Sequence, residues 1–518
     1  MTTSMFLGLD IGTSGVKALL VDQSGGVAGT ATVPLPLSTP RPGWAEQDPA
    51  DWWRATVDAV HALLAQHPSV GVAGIGITGQ MHSSVFLDRH GDVIRPALLW
   101  CDGRTTAECT EIVARVGGEQ RLLELTCNTA LEGFTLPKIL WLRNHEPESY
   151  ARLATVMLAK DYVRYRLTGA IATEPSDASG TLLYDTAHLR WSGEMLEAMG
   201  MDARLLPTLG GSSEVVGHVT PTAAQTTGLP EGTPVVGGGG DNACGALGVG
   251  VIAPGDAAAS WGTSGTVLAP TTEPRIDPER RVHTFCHVAP GTWYLIGVVL
   301  TAGGAFAWYR DQFAREYADP ADAGRALRDE AALIAPGADG VTFLPYLQGE
   351  RTPHRDASLR GALLGLSLAH SRAHVTRAVF EGICFALRDS LETIRDLGLT
   401  PNQLLLTGGG SSHALLRQLQ ADVFGAPVSL ANREEGPAYG AALLAAVGVG
   451  AFPDVATAVH RTLQQGVAAT PDPRAHATYD RLFDRFRASL ASARPVPIGS
   501  RAPEHVELGE IGDVRRRD

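Results

Sequence analysis

The stretch that decides the fold runs from Phe6 to Lys17 and reads FLGLDIGTSGVK. An apolar run ends in Asp10, crosses a Gly/Thr/Ser turn and resumes as a second apolar run that ends at Asp22. This pattern predicts a β-hairpin whose tip offers backbone N–H groups and hydroxyls, which bind anions such as phosphate. A carboxylate beside such a tip, here Asp10, is the usual way to hold Mg²⁺. Taken alone, the hairpin is also compatible with a turn that binds no ligand.

The Gly-Thr-Ser-Gly turn occurs again in the second half of the chain, where residues 260–266 read SWGTSGT between two apolar stretches. Two such hairpins half a chain apart indicate two related domains that face a shared nucleotide. A third Gly-rich loop, GGGSS at 408–412, follows a strand-like run and precedes a predicted helix from Leu415 to Phe424. This arrangement presents a helix N-terminus to a nucleotide, although the G-x-G-x-x-G spacing of a dinucleotide fold is missing. Together, the three loops predict ATP as a ligand.

The bulk composition limits the class of protein. A chain of 518 residues has room for two large domains, and 44% apolar with 19% charged residues are ordinary values for a globular enzyme. The formal net charge of −13 argues against nucleic acid as a partner. The sequence shows neither a signal peptide nor an apolar run of membrane-spanning length. Its six cysteines lie far apart without C-x-x-C spacing, so we expect reduced thiols and a cytoplasmic protein.

Both halves show the element order of a ribonuclease-H-like α/β unit. In the first half, three strands (the third at 27–37) precede a helix capped by Asp48 and opened by Pro49, and a strand at 72–78 follows. In the second half, the hairpin near 257–270 precedes a strand at 293–300 and a helix from about Gly304. The Gly-rich segment 235–250 is the best hinge or boundary candidate, which gives domains at 1–247 and 248–493. We expect the polar residues 494–518 to be a disordered tail.

One carboxylate, Asp241, follows four glycines at 237–240 and precedes a helix-like stretch. Capping that helix is the simplest role for Asp241. The four glycines cost backbone entropy, however, and therefore indicate the close approach of a ligand or a flexing backbone. A single carboxylate in such a place is what a sugar kinase needs as general base toward the attacking hydroxyl. Phosphoryl transfer otherwise requires Mg²⁺, charge stabilisation and in-line placement, which Asp10, Lys17 and the two hairpins can supply.

Three further segments are weaker candidates. His82 lies in a loop after a predicted strand, where a local hydrogen bond is the usual alternative to ligand contact. The sequence WCDGR at 100–104 offers an aromatic face, the Asp102 carboxylate and the Arg104 guanidinium, which suit a polyol and equally a surface turn. Glu350 and Arg351 form a charged pair that we expect to be structural, with the lining of a cleft as the alternative.

With these motifs in place, the chain resembles the FGGY family of carbohydrate kinases over nearly its whole length, up to about residue 490. The stretches 133–145 and 361–381 match the two signature patterns of that family. The other matching motifs are, in chain order, DIGTSGVK (10–17), GWAEQDP (43–49), GQMH (79–82), WCDGR (100–104), KDY (160–162), SDA (176–178), GGDN (239–242), WGTSG (261–265), FLPYL (343–347) and GERTP (349–353).

The resemblance implies an actin/hexokinase-like fold, in which two ribonuclease-H-like domains meet at a central cleft that holds sugar and ATP. The proton acceptor is then Asp241, and Asp10 helps to hold Mg²⁺–ATP, so both carboxylates are metal candidates. Residues expected to contact the sugar are Met81, His82, Asn242, Asp102 and Arg104. Residues expected at the nucleotide and its phosphates are Thr13, Ser14, Lys17, Thr263, Gly303, Gly409, Gly410 and His413.

The activity implied by the resemblance is transfer of phosphate from ATP to the primary hydroxyl of D-xylulose, which gives D-xylulose 5-phosphate. Another ketose, a polyol or gluconate is the alternative substrate within the family. An actin-like ATPase, which would use the same hairpins with water as acceptor, is the alternative from another class. The expected partners are a small sugar and ATP, without nucleic acid or membrane. The oligomeric state is left open, with a homodimer as one option.

Overall fold

Two mixed β-sheets, one in each half of the chain, form the frame of the computed structural model, which describes residues 4–433 and 435–494. The first sheet contains, from edge to edge, Val27–Pro34, Gly15–Val21, Ser4–Ile11, Gly71–Gly79, Pro234–Val236 and Val215–His218, and Gly239–Gly240 also pairs with Gly71–Gly79. The second sheet contains His283–Cys286, Trp293–Val299, Gly265–Thr271, Asp256–Trp261, Gln403–Gly408, Val428–Ala431 and Gln465–Ala469.

The two sheets repeat one topology. In the first, Ser4–Ile11 pairs antiparallel with Gly15–Val21 and parallel with Gly71–Gly79. In the second, Asp256–Trp261 pairs antiparallel with Gly265–Thr271 and parallel with Gln403–Gly408. A hairpin followed by a third antiparallel strand and a parallel fourth strand is the ribonuclease-H-like order that the sequence predicted. The prediction of an α/β fold built from two such units is therefore confirmed.

Helices cover the faces of both sheets and fill the insertions between the strands. Those of the first half are Pro49–Gln66, Thr106–Val116, Glu119–Thr126, Thr135–His145, Pro147–Ala151, Ala159–Thr168, Pro175–Ala178, Gly193–Met199, Pro221–Thr227 and Asp241–Gly248. Those of the second half are Gly303–Phe313, Pro320–Ala332, Arg372–Asp396, Ala414–Phe424, Pro437–Gly448, Val455–Thr462 and Pro473–Ala488. Within the described ranges, none of these helices combines the length and the apolar character that a membrane crossing requires.

Short two-stranded ribbons and single helical turns complete the frame. The paired ribbons are Glu46–Gln47 with Ala97–Leu98, Val85–Leu87 with Thr155–Met157, Ala172–Thr173 with Thr208–Leu209, Tyr184–Asp185 with Arg190–Trp191, and Thr342–Leu344 with Ala362–Leu364. The 3₁₀ turns are Ala203–Leu205, Ala338–Gly340, Gly409–Ser411 and Ser489–Ala493.

Local sequence signals set the element ends. The Asp48 side chain accepts a hydrogen bond from the Ala50 N–H, and Pro49 is the first residue of the helix, as predicted. The third strand ends at Pro34 rather than at residue 37. Its partner strand begins at Gly15, opposite Pro34, and the Leu35 N–H donates to the Ser14 oxygen, so the ladder ends where the turn of the first hairpin begins. Of the predicted tail, residues 495–518 lie outside the described residues.

The helix Pro437–Gly448, although it comes late in the chain, packs on the first sheet. A Cβ placed on Gly8 would lie 2.0 Å from the Ala438 oxygen, and one on Gly76 would lie 1.9 Å from the Ala441 oxygen. Glycine at both strand positions therefore lets the helix backbone approach the sheet. The opposite face of the same strands, with Leu7 and Leu9, belongs to the core around the helix Pro49–Gln66. The second half of the sequence thus completes the core of the first.

Candidate active site

Two adjoining cavities lie between the two sheets. The smaller has a volume of about 170 Å³ and is lined by Met81, His82, Trp100, Phe134, Asp241, Asn242, Ser264, Thr266, His283, Phe285, Ile296, Val298 and Arg351. The larger has a volume of about 440 Å³ and is lined by Asp10, Lys17, Asp241, Asn242, Gly245, Ala246, Ala258, Ser260, Thr266, Leu268, Thr407, Gly408, Glu435, Gly436 and Pro437. Pockets for drug-sized ligands measure about 300–1,000 Å³, so the larger cavity suits a nucleotide and the smaller a compact polar molecule.

Asp241 stands where the two cavities meet, together with Asn242 and Thr266. It is the first residue of the helix Asp241–Gly248, and its Oδ1 accepts hydrogen bonds from the backbone N–H of Asn242 at 2.8 Å and from the side-chain amide at 3.0 Å. Burial raises the pKa of Asp241 to about 7, and the nearby Asp10 carboxylate contributes to that rise. A carboxylate with a pKa near neutrality is a suitable general base.

Asp10 lies near the end of the strand Ser4–Ile11, opposite Lys17 in the register of the first hairpin. Burial raises its pKa to about 6 against the opposing effect of the Lys17 ammonium. Its Oδ1 is buried without a hydrogen-bond partner. In the described part of the chain, no group of three or more His, Cys, Asp or Glu side chains could enclose a metal. Mg²⁺ commonly keeps several waters and binds through one or two carboxylates plus substrate phosphates, so the carboxylates of Asp10 and Asp241 fit that ion.

The tip of the first hairpin is partly engaged within the protein. The Thr13 hydroxyl accepts a hydrogen bond of 2.9 Å from Trp100 Nε1 and donates one of 3.3 Å to Gln80 Oε1. Ser14 is exposed, and Lys17 lines the larger cavity. Of the predicted phosphate contacts in this hairpin, Lys17 therefore faces the larger cavity, whereas Thr13 and Ser14 do not line it.

Met81 and His82 both line the smaller cavity, where they were predicted to contact a sugar. The backbone of His82 has a φ of +67°, which is uncommon for a residue other than glycine. Its Nδ1 lies 2.8 Å from the Gly180 carbonyl oxygen, and its ring stacks on Phe134 with centroids 4.4 Å apart. A carbonyl only accepts, so Nδ1 carries the proton and Nε2 is left as an acceptor. Burial holds the pKa of His82 well below its usual range, which keeps the ring neutral.

Asp102 and Arg104 do not line either cavity. The Asp102 carboxylate accepts hydrogen bonds from the Ala45 N–H and from the guanidinium of Arg104. The Arg104 side chain also pairs with Glu46 at 2.7 Å and packs on the Trp44 ring at 3.6 Å. These two residues form a buried support beside the site, while Trp100 of the same motif reaches the smaller cavity. A direct sugar contact by Asp102 or Arg104 stays a prediction.

None of the predicted nucleotide residues of the second half lines either cavity. Thr263 is exposed at the tip of the second hairpin, and its carbonyl accepts from the Gly304 N–H. Gly303 begins the helix Gly303–Phe313, and its N–H donates to the Gly262 oxygen at 2.8 Å. Gly409 and Gly410 form a 3₁₀ turn next to Gly408, which lines the larger cavity. The side chain of His413 caps the helix Ala414–Phe424 through the Leu415 N–H, and it lines neither cavity.

Ser264 and His283 line the smaller cavity and escaped the sequence analysis, whereas Arg351 takes the cleft-lining position that the sequence analysis gave as its alternative. Arg351 was expected to pair with Glu350, but the Glu350 carboxylate instead accepts the backbone N–H groups of Leu300 and Arg351. The Arg351 guanidinium faces the smaller cavity. His283 lies in the same wall, and burial lowers its pKa to about 3. The WGTSG motif was the available signal for Ser264 and the GERTP motif for Arg351, whereas no local pattern marks His283.

Comparison with known proteins agrees with this geometry. Residues 5–248 match the N-terminal domain of the FGGY family of carbohydrate kinases, and residues 257–449 match its C-terminal domain. The chain is 40% identical over 483 residues to a xylulose kinase of Bacillus subtilis (strain 168), covering 93% of this chain and 95% of the relative. It is 39% identical over 494 residues to a xylulose kinase of Escherichia coli (strain K12), covering 95% of this chain and 100% of that relative.

A solved structure shows the same architecture. The crystal structure of xylulose kinase from Rhodospirillum rubrum matches with a TM-score of 0.87 and 33% identity, covering 94% of this chain and 98% of that one. Fold and cleft thus define a two-domain α/β kinase. The chain belongs to the FGGY family of carbohydrate kinases.

Proposed function

We propose that the protein transfers the γ-phosphoryl group of ATP to the primary hydroxyl of D-xylulose and releases ADP and D-xylulose 5-phosphate. The observation that carries the proposal is the position of Asp241, which lines both the smaller and the larger cavity. The names of the relatives support the choice of sugar. The smaller cavity holds the sugar, and the larger holds the nucleotide.

In this proposal, Asp241 takes the proton of the attacking sugar hydroxyl. As it does so, the hydroxyl oxygen bonds to the γ-phosphorus of ATP, and the bond between that phosphorus and the ADP oxygen breaks. His82 accepts a hydrogen bond from a sugar hydroxyl through Nε2, and Asn242 and Met81 complete that wall. Lys17 places a positive charge at the phosphates. Asp10 and Asp241 would hold Mg²⁺, and the bound ion would supply charge neutralisation at the phosphate oxygens. The other proposed nucleotide contacts, none of which lines the larger cavity, are Thr13, Ser14, Thr263, Gly303, Gly409, Gly410 and His413.

The setting of the activity is also part of the proposal. The six cysteines are free, which suits the reducing cytoplasm. The division into domains at 247/248 and the homodimer stay predictions. An actin-like ATPase is disfavoured, because Met81, His82 and Arg351 help to line a second cavity beside the base that water alone does not require.

The test is an ADP-release assay with purified protein, ATP and Mg²⁺ across D-xylulose, related pentuloses, polyols and gluconate. We expect D-xylulose to give the highest kcat/KM, with little ADP release in the absence of sugar. Phosphorylation of another sugar with a higher kcat/KM would reassign the substrate. ATP turnover that is fast and independent of any sugar would reject the kinase proposal in favour of an ATPase.

A further inference from the structure

A fully buried network of charged side chains lies behind the Gly237–Gly240 segment that carries Asp241. Its members have exposed fractions of 0% and are Lys160, Asp161, Arg164, Glu174 and Asp177. Burial raises the pKa of Asp177 well above its usual range, and the Lys160 ammonium opposes that rise. Removing such groups from water is costly, and well-packed apolar residues often give equal or greater stability. A network of this kind therefore points to a role other than stability.

The network reaches the backbone of the glycine segment at three places. Arg164 donates to the Gly237 carbonyl at 2.6 Å. The Gly240 N–H donates to Ser176 Oγ at 2.9 Å, and that hydroxyl donates in turn to Glu174 Oε1 at 2.9 Å. A third connection runs through Ser212, whose carbonyl accepts from the Gly238 N–H at 2.8 Å while its hydroxyl donates to Glu174 Oε2 at 2.9 Å.

The four glycines are enclosed by protein rather than free to rotate. A Cβ on Gly238 would lie 1.8 Å from the Ile77 oxygen, and one on Gly239 would lie 2.3 Å from Val288 Cγ1. Close packing of protein atoms thus accounts for glycine at these positions, and the hinge suggested by their sequence stays a prediction. The helix of Asp241 begins immediately after Gly240, so a shift of the Gly240 amide moves the carboxylate directly.

We propose that Ser176, supported by Glu174, is a positioning residue that holds the Gly240 amide and thereby fixes Asp241 at the junction of the two cavities. The inference rests on the proposed function, in which Asp241 is the general base. Ser176 touches neither cavity and acts only through the backbone. Misplacement of a catalytic group by about 1 Å can cost about a hundredfold in rate, so loss of one hydrogen bond at Gly240 is expected to lower kcat.

The experiment compares Ser176→Ala with Ser179→Ala. Both serines are fully buried in the same turn, but the Ser179 hydroxyl contacts the Cys286 N–H and the Ser176 carbonyl instead of the glycine segment. We expect Ser176→Ala to lower kcat about tenfold to a hundredfold with sugar and ATP KM within about threefold of wild type. Ser179→Ala should retain wild-type kcat. Each rate is measured with whichever sugar the wild type phosphorylates best.

A second measurement needs no substrate. Hydrogen–deuterium exchange of the peptide covering residues 237–242 should be faster in Ser176→Ala and unchanged in Ser179→Ala, because only the first variant removes the acceptor of the Gly240 amide. The exchange rate tests whether Ser176 holds the Gly240 amide even if D-xylulose is not the substrate. The identity of the sugar is decided separately, by the assay of the wild-type protein. Equal exchange and equal kcat in the two variants would overturn the inference. Should Ser176→Ala fail to fold, Ser176→Cys, whose sulfur is only a weak acceptor, takes its place with the same expected and the same overturning results.

Discussion

The ammonium of Lys138 donates a hydrogen bond of 3.0 Å to the carbonyl oxygen of His82 and one of 2.7 Å to that of Gly133. Lys138 is completely buried, and burial lowers its pKa to about 7. The carbonyl it holds belongs to the residue with the uncommon positive φ, whose imidazole lines the smaller cavity. Lys138 therefore links the segment 133–145, which matches a signature of the family, to the loop that carries Met81 and His82.

Replacing this lysine should weaken sugar binding. Lys138→Met leaves the His82 carbonyl with fewer donors and frees the loop, and loss of a buried hydrogen bond costs about 1–3 kcal/mol. We expect the sugar KM to rise about tenfold, with an unchanged ATP KM. Steady-state kinetics against both substrates provide the measurement. Arg143→Met, on the same helix but bonded to the Met199 carbonyl, is the matched control. An unchanged sugar KM in a folded Lys138→Met would contradict the prediction.

The pH dependence of the reaction should follow the titration of Asp241. A general base must be deprotonated, and the pKa of this carboxyl is raised to about 7. We therefore expect kcat/KM for the sugar to rise about tenfold per pH unit below 7 and to level off above about pH 8. Asp241→Asn should lose about 10²–10⁴-fold in rate together with this pH dependence. Asp22→Asn, at the end of the first hairpin and outside both cavities, is the control that should keep both.

The same carboxylate should destabilise the folded protein at high pH. Below about pH 4, Asp241 is protonated in the folded and the unfolded state. As the pH rises from 4 to 7, the unfolded carboxyl loses its proton while the folded one keeps it, so stability falls until the pH exceeds the folded pKa. Asp241→Asn removes this loss and should be more stable than wild type by a few kcal/mol at pH 8, since one pKa unit corresponds to about 1.4 kcal/mol.

Urea unfolding of both proteins without ligands, at pH 5 and pH 8, measures this difference. We expect the advantage of Asp241→Asn to be small at pH 5 and larger at pH 8. An equal stability advantage of Asp241→Asn at pH 5 and at pH 8 would show that burial does not raise the pKa of Asp241.

Removal of the other carboxylate should change the need for metal. Asp10 Oδ1 is buried without a partner, as expected of an oxygen that serves an ion. Asp10→Asn should lower kcat and raise the Mg²⁺ concentration required for half-maximal rate, with little change in the sugar KM. The measurement is a Mg²⁺ titration of the rate at fixed ATP and saturating sugar. An identical Mg²⁺ dependence in Asp10→Asn and wild type would remove Asp10 from the metal site.

Much of this architecture could be predicted because local signals carry it. Alternating and apolar runs around Gly-Thr-Ser-Gly turns define both hairpins, and Asp48-Pro49 defines a helix start. The four glycines before Asp241 indicated it as a candidate site residue. Close packing of protein atoms around the segment explains why glycine occurs there. In each case the residues that decide the structure lie within a few positions of one another.

The remaining features depend on residues far apart in the chain. Arg351 comes to lie in the same wall as His82 only through the meeting of the two halves. The Gly240–Ser176 hydrogen bond joins residues 64 positions apart. The residue types of the charged network around Lys160 usually indicate an exposed surface, because Lys and Asp are almost never fully buried unless paired. No local pattern distinguishes such residues from a solvated surface.

The late helix Pro437–Gly448 has a consequence for how the chain is made. Until it emerges from the ribosome, the strand face that carries Phe6 and Gly8 has no cover, although every strand of the first sheet has already been synthesised. A chain stopped after residue 248 would expose that apolar face to water and to other chains. Each half of the chain forms its own sheet. The core of the first half, however, is complete only after the helix Pro437–Gly448 has been synthesised.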